Sequence, residues 1–262
     1  MLRPLKLFGL FARISILNEV QYRANFFMQV LQSSLSLGTG LIVLNVVYSY
    51  TDNLGGWSQP ELLAVYGVFV LMSGLIGSLV LPNMWAFMED VREGRLDFTL
   101  TKPEDSQVLI SVRVVAIWRL VDVLLGIIVL GVAIGRMGLE ASWWLAFAFA
   151  ATLLMGMILL YCVLLLASIL SFWFVRVWEL MEMMQSIFQA GRWPVGIYPD
   201  WLRLGLTYLI PVAFAVTVPA EALTGRLTPE LLAGTFVFTL VALFITRRLW
   251  LWGLKNYSGA SA

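Results

Sequence analysis

Three stretches of this chain carry no charged side chain over lengths greater than a bilayer requires: residues 25–51, 62–88 and 141–175. About 20 predominantly apolar residues cross the hydrocarbon layer as a helix. No water reaches the backbone there, so each N–H and C=O must be satisfied within the segment, which a helix does and an open sheet does not. An all-α polytopic membrane protein is therefore expected. Only 13% of the residues are charged, against about a quarter in soluble domains. No stretch is left over for a soluble catalytic domain, and residues 1–262 read as one transmembrane domain.

Residues 25–50, 61–83, 108–135, 142–172 and 230–250 read as spans. The last opens on Thr228-Pro229, where proline suits a first helical turn. Two segments compete for the remaining place. Residues 177–197 carry Glu179, Glu182 and Arg192; residues 204–223 are less charged but interrupted by Pro211 and Pro219. Positive charge favours the cytosolic face. Arg3, Lys6, Arg13 and Arg23 at one end, and Arg247, Arg248 and Lys255 at the other, should share that face, which requires an even number of spans. Six transmembrane helices satisfy this, with both termini cytosolic. In that arrangement residues 177–197 are the fifth span and 198–226 an external re-entrant element, leaving Arg136, Arg192, Arg203 and Arg226 outside. The charge asymmetry supports the orientation without deciding between the two segments. Across residues 3–23, Arg3, Lys6 and Arg13 fall near one helical face, against Leu5, Phe8, Phe11, Ala12 and Ile16. That pattern predicts an interfacial helix on the cytosolic surface.

Between the second and third spans, residues 89–105 read EDVREGRLDFTLTKPED. Nine charged side chains crowd this stretch, from Glu89 and Asp90 to Glu104 and Asp105. Glu93-Gly94-Arg95-Leu96-Asp97 predicts a helix, a glycine stop with φ > 0, and a second short helix ended by Lys102-Pro103. Residues 84–107 thus read as a cytosolic hinge, with Glu89, Asp90, Arg92, Glu93, Gly94, Arg95, Leu96 and Asp97 as its working residues. The plainer reading is a solvated loop whose charges only keep it out of the membrane.

Several function classes are excluded. The chain has no histidine, so neither histidine metal sites nor histidine bases are available, and no metal site is expected. Cys162 is the only cysteine, so no internal disulfide forms. A nucleotide-binding P-loop needs Gly-Lys-Ser/Thr, yet none of Lys6, Lys102 and Lys255 follows a glycine. No catalytic residue and no cofactor is expected in this chain, and its net charge of +1 offers nothing to nucleic acid. Arg119 with Asp122, and Arg176 with Glu179, stand at helical i,i+3 spacing, with Glu182 beyond. They read as intramembrane ion pairs, with an ion or proton pathway as the alternative. Gln29, Gln32 and Asn45 could line a polar path or hydrogen-bond between helices. The spacings Ser34/Gly38, Ser36/Gly40 and Gly74/Ser78 predict close packing of the first two spans. Trp57, Trp85, Trp143, Trp193, Trp201 and Trp250 fall near span ends as interface anchors.

The order of these parts resembles the ABC-2 family of transporter permeases, in its short bacterial branch. Arg92-Glu93-Gly94-Arg95-Leu96-Asp97 with Lys102-Pro103 is similar to that branch's EGxLDxxLxxP hinge. Arg192-Trp193-Pro194, Ile197-Tyr198-Pro199, Ile210-Pro211, Pro219-Ala220 and Leu223-Thr224-Gly225 are similar to its external re-entrant region. The resemblance implies the membrane subunit of an ATP-driven exporter in the bacterial plasma (inner) membrane. Its implied partners are ABC ATPase subunits, which bind ATP and Mg, and a second permease in a homodimer or heterodimer. The hinge would be the element the ATPase grips. Ile210-Pro211 stands where many relatives carry Asn-Pro, so polysaccharide handling is not implied. Two other classes stand beside this one: an ion- or proton-driven carrier using Glu179 and Glu182, and a non-transporting scaffold that docks another complex.

Overall fold

The computed structural model describes residues 9, 11, 23–138, 142–174 and 177–257. Among these there is no strand. The chain runs through α1 (Arg23–Tyr48), α2 (Gln59–Leu79), α3 (Leu81–Arg92), α4 (Asp97–Leu100) and α5 (Ser106–Val112). It continues through α6 (Leu120–Met137), α7 (Trp143–Ile169), α8 (Trp178–Phe188), α9 (Asp200–Leu204), α10 (Val218–Leu223) and α11 (Pro229–Asn256). Five stretches are long and apolar enough to cross a membrane: Phe26–Tyr48, Gln59–Arg92, Ile117–Met137, Trp143–Phe172 and Pro229–Asn256. Pro82 does not end the second of these, because it falls in the first turn of α3, where its missing N–H is not needed.

The bundle has two distinct ends. At one, Arg247 of α11 pairs with Asp105 of the charged segment (2.5 Å). At the other, Arg226 pairs with Glu61 at 2.6 Å, donates to Gly56 O at 2.9 Å and stacks its guanidinium over Trp57. Ser58 and Glu61 form a capping box that starts α2 there.

The third apolar run departs from its expected bounds of 108–135. Helix α5 stops at Val112, residues 113–116 are not helical, and a turn at Ile117–Arg119 leads into α6. Two groups replace the lost helix hydrogen bonds. Buried Asn83 donates to Val114 O (2.7 Å) and accepts from Val114 N (2.9 Å), and Ala116 N–H donates to Ser78 O (2.9 Å). Asn83→Leu should therefore destabilise the protein by about 1–3 kcal/mol for each backbone group left unpaired. The check is the thermal unfolding midpoint of purified protein in detergent.

Residues 177–197 are not one continuous helix. Helix α8 has 11 residues, a tight turn follows at Gln189–Arg192, and Trp193-Pro194 breaks the winding. At about 1.5 Å per residue in α8 and about 2 Å in the tighter turn, this part reaches only ~24 Å, less than the ~30 Å hydrocarbon layer. Further along, Asp200–Leu209 and Ala213–Leu223 form a helical pair bent by 76°. The bend falls at Ile210-Pro211-Val212, where Pro211 has no N–H to continue the ladder. The flanks of the pair return to one loop: Ile197 packs where a Cβ on Gly55 would come within 2.5 Å, and Arg226 binds Gly56.

Backbones approach most closely between α2 and α6 and between α7 and residues 214–215, where a Cβ on Gly156 would lie 2.5 Å from Phe214 O. The expected contact of the first two spans forms at Gly40, where a Cβ would run into the Tyr66 ring. A Cβ on Gly74 would lie 2.6 Å from Val123 N, and one on Gly126 would lie 2.5 Å from Leu71 N. Gly38 faces nothing within 4 Å. Helix α1 is largely exposed and touches α2 through Tyr66, whose hydroxyl donates to Ser36 O (3.2 Å). Trp143 and Trp201 are exposed as interface anchors would be, but Trp57 and Trp250 are buried in the core.

Candidate functional site

The charged segment folds as an elbow. Helix α3 carries Glu89, Asp90 and Arg92 in its last turn and ends at Glu93. Gly94 then adopts φ 69°. Gly94 N–H donates to Val91 O (3.3 Å) and Arg95 N–H to Asp90 O (2.8 Å). These two bonds make a Schellman cap, which satisfies the last carbonyls of α3 and turns the chain. Asp97 opens the single-turn α4, and Asp105 caps α5 by accepting from Val108 N–H (3.2 Å).

Asp90 is the fulcrum. Its carboxylate accepts from Arg113 and from Arg95 Nε (3.3 Å). Both Asp90 and Arg113 are largely shielded from solvent, so this pair is worth more than the exposed Arg92–Glu89 and Arg95–Glu93 pairs around it. It fastens the elbow to residues 113–116, which Asn83 already holds. Leu96 is fully buried in the main core and anchors the elbow from beneath. Phe98 on α4 points the other way, 73% exposed. The Arg247–Asp105 pair, with Arg247 also donating to Gln107 Oε1 (2.9 Å), ties the far side of the elbow to α11. Hydrogen bonds from Arg247 hold the Asp105 carboxyl below its ordinary range, against partial burial.

The sequence singles out the elbow residues but not Arg113 and Asn83, which fasten it to the bundle, nor Phe98, which it presents outward. Arg113 falls inside the expected 108–135 span and Asn83 at the end of the expected 61–83 span, and Phe98 carries no charge to mark it. An unpaired arginine entering one apolar run, and an asparagine after Pro82 in another, were the available signals.

The predicted intramembrane pairs divide. Arg119 Nη1 lies 3.6 Å from Asp122 Oδ2, and Asp122 is buried. Glu179 and Glu182 are exposed and make no ion pair with a described residue. Arg176 lies outside the described residues, as does the 3–23 segment apart from residues 9, 11 and 23. Arg192, expected on the external side, is exposed, lies over the Phe69 ring (5.6 Å to its centroid) and donates to Gln189 Oε1 (2.8 Å). Arg119, Asp122 and Arg192 share a cavity of about 220 Å³ with Gln29 and Gln32, whereas Asn45 lies on an exposed face elsewhere. Among the described residues no group of histidine, cysteine, aspartate or glutamate is placed to hold a metal ion.

A family model described as ABC-2 family transporter protein matches residues 35–261, taking in the elbow, the bent pair and α11. No curated protein and no solved structure matches the chain. A match over this much of the chain, on an all-helical bundle with five membrane-length helices, settles its kinship: the chain belongs to the ABC-2 family of transporter proteins.

Proposed function

We propose that the chain is the membrane-spanning subunit of an ATP-driven exporter, moved by a separate ABC ATPase through the elbow at residues 89–105. The observation that carries this reading is the elbow itself: a capped helix–Gly94–helix turn, tied to the bundle through Asp90–Arg113, that presents Phe98 outward. A loop that merely stayed solvated would need neither the ties nor an exposed aromatic. With no Gly-Lys-Ser/Thr of its own, the chain takes its energy from a partner that binds ATP and Mg. The elbow and both termini then face the cytosol of a bacterial cell, with the bent pair Asp200–Leu209 and Ala213–Leu223 making the sixth crossing before α11. Two permease subunits, identical or sister, enclose the path.

Force would travel along a short route. Helix α3 continues α2 almost without interruption, so a push on Phe98 and Asp90 moves the whole of Gln59–Arg92. The close contact at Gly74 and Gly126 makes α6 follow α2. Loosely held α1 and the short α8 would then be the parts past which this pair slides. Exposure of Glu179 and Glu182 gives no support to a carrier that moves protons through them.

Reversing the elbow's charge with Glu93→Lys and Asp97→Lys tests the proposal. With the ATPase from a neighbouring gene co-expressed, the native chain should retain that ATPase through purification and drive transport. The double variant should insert normally but lose most of both. Cysteine labelling that places Glu93 on the extracellular face, or an unaltered ATPase yield and transport rate, would refute it.

A further inference from the structure

We propose that the cavity between Arg119 and Arg192 binds the oxyanion headgroup of an amphiphile, with the apolar cavity beside it taking the tail. This names a substrate class and so rests on the exporter reading. The argument begins with charge. Among the described residues that line the polar cavity, only Arg119, Arg192 and Asp122 carry a charge at neutral pH, so it holds one uncompensated positive charge. The cavity lies beside Phe69 and Ser73, halfway along α2, and both arginines keep much of their surface exposed, so a ligand can reach them.

Neither guanidinium is saturated from within. Arg119 meets Asp122 only at 3.6 Å, and Arg192 is held by one amide oxygen and one ring face. Gly77 leaves room for Arg119: a Cβ there would press within 3.3 Å of Arg119 Cδ. Guanidinium groups present paired donors that fit a phosphate or carboxylate, and the amides of Gln29, Gln32 and Gln189 add further donors around the same space. An anion bound here would neutralise the excess charge and fill the free donors.

The neighbouring cavity indicates that this anion carries a tail. It measures about 170 Å³ and is mostly apolar, lined by Ile76, Leu160, Leu164, Phe188 and Ile210, with Gln185 at one wall. Ser73, Arg119 and Gln189 line both spaces and form the wall between them. A polar compartment that shares its wall with an apolar one suits a molecule with a charged head and a hydrocarbon chain.

The test needs no ATPase, so its outcome is separate from that of the elbow experiment. Full-length protein in phosphatidylcholine nanodiscs is titrated with radiolabelled dodecyl phosphate, with empty nanodiscs subtracted. Arg119→Gln and Arg192→Gln should each weaken binding about tenfold or more, as loss of a charge-assisted contact does. The Lys variants keep the charge but lose the paired donors and should fall between the native chain and the Gln variants, and Asp122→Asn should bind more tightly because a competing negative charge is gone. Unfolding midpoints of all variants identify any that lose binding by losing the fold; for such a position, tighter binding by Asp122→Asn still supports the site. Gln variants that fold and bind within twofold of the native chain would overturn the proposal, as would weaker binding by Asp122→Asn. Equal saturable binding of dodecyltrimethylammonium, or displacement of the probe by inorganic phosphate at matching concentration, would overturn the assignment to an anionic amphiphile.

Discussion

Gly126→Leu is expected to yield no stably folded protein, while Gly131→Leu on the same helix should behave as native. Between apolar helices in lipid there is little hydrophobic drive, so association depends on close packing. Helices α2 and α6 achieve it by stacking backbone on backbone. A Cβ on Gly126 would lie 2.5 Å from Leu71 N and 2.7 Å from Leu71 Cα, and neither is a flexible side-chain tip. Even alanine forces the helices apart there. Overpacking a well-filled core costs about 1–3 kcal/mol and more when the backbone must move; leucine adds three more carbons in the same direction. The loss spreads, because the same displacement separates Gly74 from Val123 and removes the wall on which Arg119 and Asp122 are mounted. Gly131 meets nothing within 4 Å, so leucine there projects into open space. Size-exclusion profile and thermal midpoint in detergent separate the outcomes. Equal behaviour of the two variants would mean that the α2–α6 contact does not hold the bundle together.

This contact also shows how far the sequence could be read. Long uncharged runs mark membrane-length helices because an open sheet leaves backbone groups unpaired in lipid, and all five such helices overlap the expected spans, the second running on to Arg92 and the third starting late at Ile117. Glycine spacing is weaker: Gly38 and Gly74 stand in similar small-residue patterns, yet one faces open space and the other a neighbouring backbone. Which face of a helix meets a partner depends on contacts distant in sequence. The break at residues 113–116 was hidden for the same reason, since its stability comes from Asn83, thirty-one positions upstream of Val114. Gly94 was readable because its role is local: a helix end followed by a residue that alone takes φ > 0 without strain. The cavity was only partly readable. Arg119 and Asp122 declared themselves by spacing, whereas Arg192 joins them through the tight turn that ends α8.

Gly94→Pro should uncouple ATP hydrolysis from transport while the protein still folds and inserts. Proline fixes φ near −65°, but Gly94 sits at φ 69° and donates its N–H to Val91 O. The substitution removes that donor and forbids the turn, so the Schellman cap is lost and α4 leaves α3 in another direction. Phe98 is then no longer presented where it was, and the Asp90–Arg95 tie opens. The membrane helices remain, since α2 and α3 are continuous up to Arg92 and held by Asn83 and Gly126. Gly94→Ala keeps the donor and pays only the left-handed backbone cost of about 1–2 kcal/mol, so it should retain part of the coupling. Phe98→Asp leaves the elbow's path intact but removes its exposed ring. Affinity for the ATPase should fall by ~30-fold, the equivalent of about 2 kcal/mol for a central aromatic contact. The measurement is the number of substrate molecules moved per ATP hydrolysed in reconstituted vesicles, alongside ATPase binding. Gly94→Pro should lower that ratio at least tenfold, roughly what a 1.4 kcal/mol loss in coupling produces, and Phe98→Asp should lower binding first. An unchanged ratio in Gly94→Pro would mean that force reaches the bundle elsewhere, with the Arg247–Asp105 contact at the foot of α11 the next place to cut.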